Sequence, residues 1–316
     1  MPPPVKMIID TDPGVDDAMA ILYALSDPEI DLIGLTSVFG NVTGAIATRN
    51  ALALVELAGA ETPVAAGASV PMVQDLRPPA DFVHGVEGFG DALLPAPTRA
   101  PDPRPAHVFI AETILAHPGE VVLVPVGPLT NIAMALDHAP EIAKHVARVV
   151  VMGGAVRHKG NASPVAEANI WQDPHAAAKV FAADWPMTLI GLDVTEQVIC
   201  TAADLAPMVE ASPKCGTFLA KAADFYFKFH KESADIDGCH LHDPAAVIAA
   251  LDPSLFQMLA APLTVTVDGE EAGRTQERAA VKGASLDGPP VDIALGVDKA
   301  RVLDRFRDHL ASGRLP

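Results

Sequence analysis

The chain has 316 residues, half of them hydrophobic and 5% aromatic, so it can bury a large core built mostly from Ala, Val, Leu and Ile. Its 22 basic residues stand against 40 acidic ones, a formal net charge of −18. Such a surface repels phosphate backbones and anionic lipid, which argues against nucleic acid or a membrane as partner and suits small neutral substrates and bound cations. No apolar run reaches the length of a membrane span, because Asp, Pro or Gly interrupts each one. The opening MPPPVKM has no apolar h-region or small-residue cleavage site, so no signal peptide is expected. Cys200, Cys215 and Cys239 are an odd count with no CxxC spacing, which fits a reducing cytoplasm better than a disulfide framework or a zinc site.

In chain order, VKMIID (5–10) predicts a strand and DDAMAILYALS (16–26) a helix. IDLIGLTSVFG (30–40) predicts the next strand, and 43–59 a helix ending at Gly59. The stretch 71–105 is rich in Pro and Gly and reads as a long surface loop. Loops of that length are usually functional, and with His84 near its middle this one is a candidate lid. VVLVPVG (121–127) is a strand before a helix over 128–140, and ARVVVMGG (147–154) a strand before a helix over 173–184. MTLIGLDV (187–194) closes that series of strands.

A helix over 222–233 (AADFYFKFHKES) presents Tyr226 and His230 on one side as candidate base-pocket groups, with Phe225 and Phe229 read as core. Beyond Leu255 come the short strands LTVTVD, RAAVKG and VDIALG and a final helix from about Asp298. Near-continuous apolar strands alternating with helices predict a mostly parallel sheet covered on both faces. The expected fold is therefore α/β and Rossmann-like: one domain over 1–316, a central sheet flanked by helices, and a small antiparallel extension near the C-terminus.

Three segments carry chemistry. In IIDTDPGVDDAMA, Asp10, Asp12, Asp16 and Asp17 fall between a strand and a helix. Like charges that close resist burial unless something holds them. Helix capping accounts for Asp16 and Asp17 but not for Asp10 and Asp12 as well. Acidic oxygens without Cys or nearby His suit a hard cation, Ca²⁺ or Mg²⁺. An EF-hand is excluded, because its bidentate Glu would fall on Ile21.

The second segment, GCHLHDPAA (238–246), sets His242 and Asp243 at a loop-to-helix junction, where Asp243 followed by Pro244 is also ordinary capping. In the third, GNASPVAEANIWQDP (160–174), Glu167 and Asn169 point the same way if extended and offer hydrogen bonds to a polyhydroxylated ligand such as a sugar. Asp10 and Asp12, Asn41 and the 153–173 loop follow strands and Val126 ends one, where open α/β sheets bind ligands.

Together these segments resemble the nucleoside hydrolase family of the inosine–uridine-preferring type. Asp10-Thr11-Asp12-Pro13-Gly14-Val15-Asp16-Asp17-Ala18 is similar to its opening DxDPGxDDA, and GPLTNIA (127–133), VMGGAV (151–156), PVAEANIWQDP (164–174) and LHDP (241–244) to its later blocks, in its order. The resemblance implies hydrolysis of the N-glycosidic bond of ribonucleosides to free base and ribose, by a Ca²⁺-bound water activated by Asp12. It implies that Asp12, Asp17, Asp243 and the Val126 carbonyl hold the ion, with Asp10 orienting them. Asp16, Asn41, Met152, Asn161, Glu167, Asn169 and Asp243 would then contact the ribose, and His84 and His242 the base and 5′ side, with His242 a candidate proton donor. It also implies a homodimer or homotetramer.

Two positions depart from the family pattern: Ala168 stands where Phe is common, and LAAP (259–262) holds no Trp to stack on a purine. Both bear on base preference and neither on the metal site. Competing readings are hydrolysis of another N-riboside, a haloacid-dehalogenase-like phosphatase using Asp10-Thr11-Asp12, and a nucleoside-binding protein without activity. The second Asp pair and the LHDP block belong to no such phosphatase.

Overall fold

The computed structural model describes residues 3–281 and 287–316. Its strands are β1 (Val5–Thr11), β2 (Ile30–Ser37), β3 (Val64–Ala65), β4 (Val121–Pro125), β5 (Arg148–Met152), β6 (Met187–Ile190), β7 (Ile199–Cys200), β8 (Cys239–His240), β9 (Phe256–Ala261), β10 (Leu263–Val265), β11 (Thr275–Glu277) and β12 (Val291–Val297). Eight of them form one sheet in the order β3-β2-β1-β4-β5-β6-β12-β9. Every neighbouring pair in it is parallel except β12 with β9, the antiparallel edge expected near the C-terminus. β10–β11 and β7–β8 are small antiparallel sheets of their own.

The apolar strands are uniform because both faces of the sheet are covered. Successive side chains of a strand point to opposite faces, and here they enter two different cores. Met7, Ile9, Val122, Val124, Val150 and Met152 pack on one side with the helices Val15–Ser26 and His242–Leu251. Ile8, Val121, Leu123, Val149 and Val151 pack on the other with Ala106–Ala116, Thr130–His138 and Pro174–Ala182. On that second side Gly34 of β2 lies so close to the Phe109 ring that any Cβ would overlap it. Gly34→Ala is therefore expected to cost roughly 1–3 kcal/mol by overpacking, read as a lower denaturant midpoint at unchanged slope.

Strand order reverses at β1, whose neighbours are β2 and β4. Parallel sheets bind ligands beyond the strand ends at such a reversal, and the carboxylate motif leaves β1 at this point.

Several predicted elements are revised. β2 ends at Ser37, and the chain then turns so that the Asn41 N–H meets Asp12. The strand expected over 187–194 ends at Ile190, and Leu192–Thr195 is one helical turn. Asp193 in that turn accepts the Val156 and Arg157 N–H groups, so its backbone is taken out of the sheet. Of RAAVKG, Arg278–Ala280 is a 3₁₀ turn rather than a strand, and Lys282 and Gly283 lie outside the described residues.

The 71–105 stretch is not without structure. Asp81–His84 is a helical turn, Met72 N–H donates to Asp173, and Gln74 donates to the carbonyls of Trp171 and Gln172. The helix read over 222–233 is part of Pro213–Ala234. Within 222–233 the buried aromatic groups are Tyr226 and His230, whereas Phe225 and Phe229 are only half-buried. No described helix is long and apolar enough to cross a membrane.

Candidate active site

β1 ends at Thr11, Pro13 and Gly14 turn the chain, and the helix Val15–Ser26 begins with Asp16 and Asp17 in its first turn. Asp17 caps this turn and does more. One carboxylate oxygen accepts Thr11 Oγ1 at 2.5 Å and the Asp12 N–H at 3.2 Å, and the other accepts the Gly14 N–H at 2.9 Å and Asn41 Nδ2 at 3.0 Å. Asp12 Oδ2 accepts the Asn41 N–H at 2.6 Å, while Asp12 Oδ1 is buried with no partner. Gly40 and Gly127 flank Asp12 so closely that a Cβ at either position would meet its carboxylate. Asp16 Oδ2 accepts Tyr226 Oη at 3.4 Å, and its Oδ1 too is buried and unpartnered.

Asp10 points elsewhere. Its Oδ1 accepts Thr36 Oγ1 at 2.5 Å and Asn131 Nδ2 at 2.8 Å, and the same Asn131 ties down the Ser37 carbonyl and the Ala68 N–H. Its backbone carbonyl accepts the Val126 N–H at 2.8 Å, which sets Val126 beside the motif.

Burial dominates the electrostatics. It pushes Asp10 up to about 7 and Asp16 up to about 6, against the hydrogen bonds each accepts. Burial, then the charge of Asp17, holds Asp12 well above the usual carboxylate range. Burial raises Asp17 and Asp243 also, with Asp16 the next cause in each case.

Asp16, Asp17 and Asp243 bring one oxygen each within 4.8 Å of one another, a group that could hold a metal ion. Orphaned buried oxygens on Asp12 and Asp16 beside this group fit a cation better than they fit an empty protein interior. The donor set is all oxygen, which suits a hard divalent ion. Asp16, expected on the ribose, thus lies among the cluster oxygens, while Asp12 stands outside that three-residue group.

The other predicted residues converge from later loops. Asn169 Nδ2 donates to the Val126 carbonyl at 2.8 Å and the Met152 carbonyl at 3.2 Å, which links three of them. Glu167 caps the helix Ala168–Gln172, accepting the Asn169 and Ile170 N–H groups, and also accepts the Gly154 N–H at 2.8 Å. Asn161 accepts the Ala168 N–H at 2.9 Å. Glu167 and Asn161 therefore spend acceptors on shaping their own loop.

His84 Nδ1 accepts the Val15 N–H at 3.2 Å and lies 3.9 Å from Asp16 Oδ1. Burial lowers it to about 4, so at neutral pH it is uncharged, with its proton on Nε2. His242 Nδ1 is paired with Thr195 Oγ1 at 2.8 Å, and burial, then His240 and His230, keep it neutral. A chain of ring contacts joins His84 to Tyr226, Tyr226 to His230, His230 to His240 and His240 to His242.

Sequence reasoning missed Thr11, Asn131, Thr195 and His240. Asn131 sits inside the GPLTNIA block and was accessible through it. Thr195 carries no signal in its own neighbourhood.

The sequence profile of the family described as inosine-uridine preferring nucleoside hydrolase matches residues 7–304. A protein named probable uridine nucleosidase 2 from Arabidopsis thaliana is 41% identical over 96% of this chain and 97% of its own length. The inosine-uridine preferring nucleoside hydrolase of Leishmania major is 40% identical over 84% of this chain and 85% of its own. Among solved structures, a plant nucleoside hydrolase superposes with a TM-score of 0.93 at 40% identity, covering 98% of this chain and 100% of that one. A purine-preferring ribonucleoside hydrolase from Gardnerella vaginalis gives 0.91 at 39% identity, covering 98% and 99%. With its aspartate-lined loop at the end of β1 and matches along nearly its whole length, the chain belongs to the inosine-uridine preferring nucleoside hydrolase family, hydrolases acting on the N-glycosyl bonds of nucleosides.

Proposed function

We propose that the enzyme cleaves both purine and pyrimidine ribonucleosides, inosine and uridine among them, to free base and ribose, using one Ca²⁺ ion. The observation that carries the reading is the buried aspartate cluster with orphaned oxygens at the end of β1. Relatives named for uridine, for inosine-uridine and for purines support a broad base range. Asp12, Asp17, Asp243 and the Val126 carbonyl would hold the ion, and the cluster geometry adds Asp16 as a neighbour. Bound there, Ca²⁺ would cancel the repulsion among the carboxylates, orient two ribose hydroxyls and make a water easier to deprotonate.

Asp12, with one free carboxylate oxygen, takes the proton of the attacking water. Positive charge grows on the ribose as the N-glycosidic bond breaks, and the carboxylate floor stabilises it in a water-poor site. Asp16 and Asn169 hold ribose hydroxyls, with Asn161 and Glu167 towards the 5′ end, Met152 against the sugar and Asn41 beside the water. His242 gives the leaving base its proton or a hydrogen bond when Thr195 donates to Nδ1 and leaves the proton on Nε2. His84, held as an Nε2–H donor by Val15, faces the same task on the 5′ and base side. Asp10 is held by Thr36 and Asn131 and orients the motif.

The reading extends to one domain over 1–316, a homodimer or homotetramer, and a cytoplasmic location. The test is ribose release from inosine, adenosine, guanosine, uridine and cytidine with calcium and after chelation. Release from both base classes, lost on chelation and restored by calcium, is the expected result; release untouched by exhaustive chelation would sink the calcium assignment.

Asn41 supports the cluster through its hydrogen bond to Asp17. Asn41→Ala should weaken calcium binding about 10–100-fold, as loss of a group orienting a metal ligand does. Calorimetric titration of calcium measures this directly.

A further inference from the structure

Two segments beneath His242 and Asp243 are joined rung by rung. Thr195 pairs with His242 Nδ1 at 2.8 Å, and the Leu241 N–H donates to the Val198 carbonyl at 2.9 Å. Then β7 and β8 pair antiparallel, with Ile199 opposite His240 and Cys200 opposite Cys239. Directly opposed residues of an antiparallel ladder have Cα atoms about 4.5–5.5 Å apart. That lies within the roughly 4.4–6.8 Å that a disulfide spans without moving the backbone. The two cysteines are far apart in sequence and lack any motif spacing, so only the fold reveals them as a pair.

Both thiols are free and buried. Burial, and then the neighbouring Cys200, push the Cys239 thiol well up, so the closed ladder protects the pair from reaction. Yet β7 and β8 are two residues long each, and Ile199 beside Cys200 is exposed. A surface groove lined by Thr201, Asp224, Phe227, Lys231, Ile236 and Gly238 runs against the chain neighbours of both cysteines. Ile199 brings one corner of this two-residue ladder to the surface, and local opening there gives a small reagent access to the buried pair.

We propose that Cys200 and Cys239 form a redox switch, a dithiol that exchanges with a small-molecule disulfide such as oxidised glutathione and alters hydrolysis by fixing the segment that carries His242 and Asp243. One cysteine, as thiolate, attacks a sulfur of the small disulfide and releases one glutathione thiol. The second attacks the mixed disulfide, closes the Cys200–Cys239 bond and releases the second. The protein loses two electrons and two protons, and the glutathione disulfide gains them. Cys215, whose Sγ donates to the Leu57 carbonyl at 3.6 Å, has no cysteine opposite it and serves as the internal control.

The experiment incubates the intact enzyme in glutathione buffers of rising oxidised fraction, alkylates the remaining thiols and maps peptides by mass. In parallel it follows hydrolysis of the nucleoside cleaved fastest. Two alkylatable thiols should disappear together into a linked Cys200–Cys239 peptide pair, with Cys215 still alkylated. Hydrolysis should fall severalfold in step, and dithiothreitol should restore both. Cys200→Ser should show neither the linked peptide nor the fall in rate. Three thiols still alkylatable in fully oxidising buffer would overturn the proposal. So would a linked pair with unchanged hydrolysis, or an equal loss of rate in Cys200→Ser. Should that variant fail to fold, the wild-type peptide map and rate decide. Thiol mapping does not depend on which nucleoside is cleaved, so its outcome is separate from that of the proposed substrate range.

Discussion

Asp12→Asn is expected to lower kcat by roughly 10²–10⁴-fold, the range that a positioned general base supplies, with little change in the fold. The geometry gives both halves of this expectation. Asn has the shape of Asp, and its amide oxygen can keep the Asn41 N–H bond that Asp12 Oδ2 accepts at 2.6 Å. The other position, Oδ1, has no protein partner to lose. Burial and the nearby Asp17 charge already disfavour a carboxylate here, so neutralising it relieves repulsion in the cation-free protein. What the variant lacks is the acceptor for the water proton and one charge facing the developing cation on the ribose. Ribose release at saturating inosine or uridine, beside a thermal melt of each protein, measures both quantities. A variant retaining more than about a tenth of wild-type kcat would move the general-base role to another group, since that loss is below the range such a base supplies.

The layout of the sheet was legible because strands covered on both faces are apolar throughout, and β1, β4 and β5 alternate their side chains between two cores. Elements of one or two turns were not, since their bounds are set by tertiary partners. Leu192–Thr195 is helical because Asp193 reaches back to the 156–157 backbone. The Met72–Gln74 backbone and side chains are fixed by residues a hundred positions away.

At the site, the residue types could be read but the division of labour could not. Asp10-Thr11-Asp12 alone also suits a phosphatase nucleophile. In the folded chain each aspartate keeps one buried oxygen without a partner, but Asp10 Oδ1 is tied to Thr36 and Asn131, whereas Asp12 Oδ2 accepts the Asn41 N–H. Likewise Asp16 and Asp17 are adjacent in sequence and differ in bonding. Asp17 satisfies four donors, and Asp16 keeps an oxygen unpartnered within the cluster. The histidine and tyrosine wall escaped prediction as a unit because its members come from three separated segments.

Removing the cation should make stability fall as pH rises. Burial holds Asp10 at about 7 and Asp16 at about 6, with Asp12, Asp17 and Asp243 raised as well. In the unfolded chain all of them titrate near the ordinary value of about 3.9. Between that value and about 7 the folded, cation-free protein therefore binds more protons than the unfolded one. Stability then falls as pH rises, because its slope with pH follows protons bound unfolded minus protons bound folded. The contribution of Asp10 and Asp16 is fully present below the unfolded value of about 3.9 and is lost as pH rises through about 6 and about 7.

A bound divalent ion favours the ionised carboxylates and removes the penalty, so binding must release protons below neutrality and tighten as pH rises. Chelated enzyme is thus expected to melt at progressively lower temperature from pH 5 to pH 8, and calcium-loaded enzyme to lack that decline. The stabilisation by calcium should accordingly grow with pH, and calorimetry in buffers of different ionisation heat should detect released protons at pH 6. Parallel melting curves with and without calcium across this range would mean that the cluster is ionised without a cation. The orphaned oxygens of Asp12 and Asp16 would then need another partner.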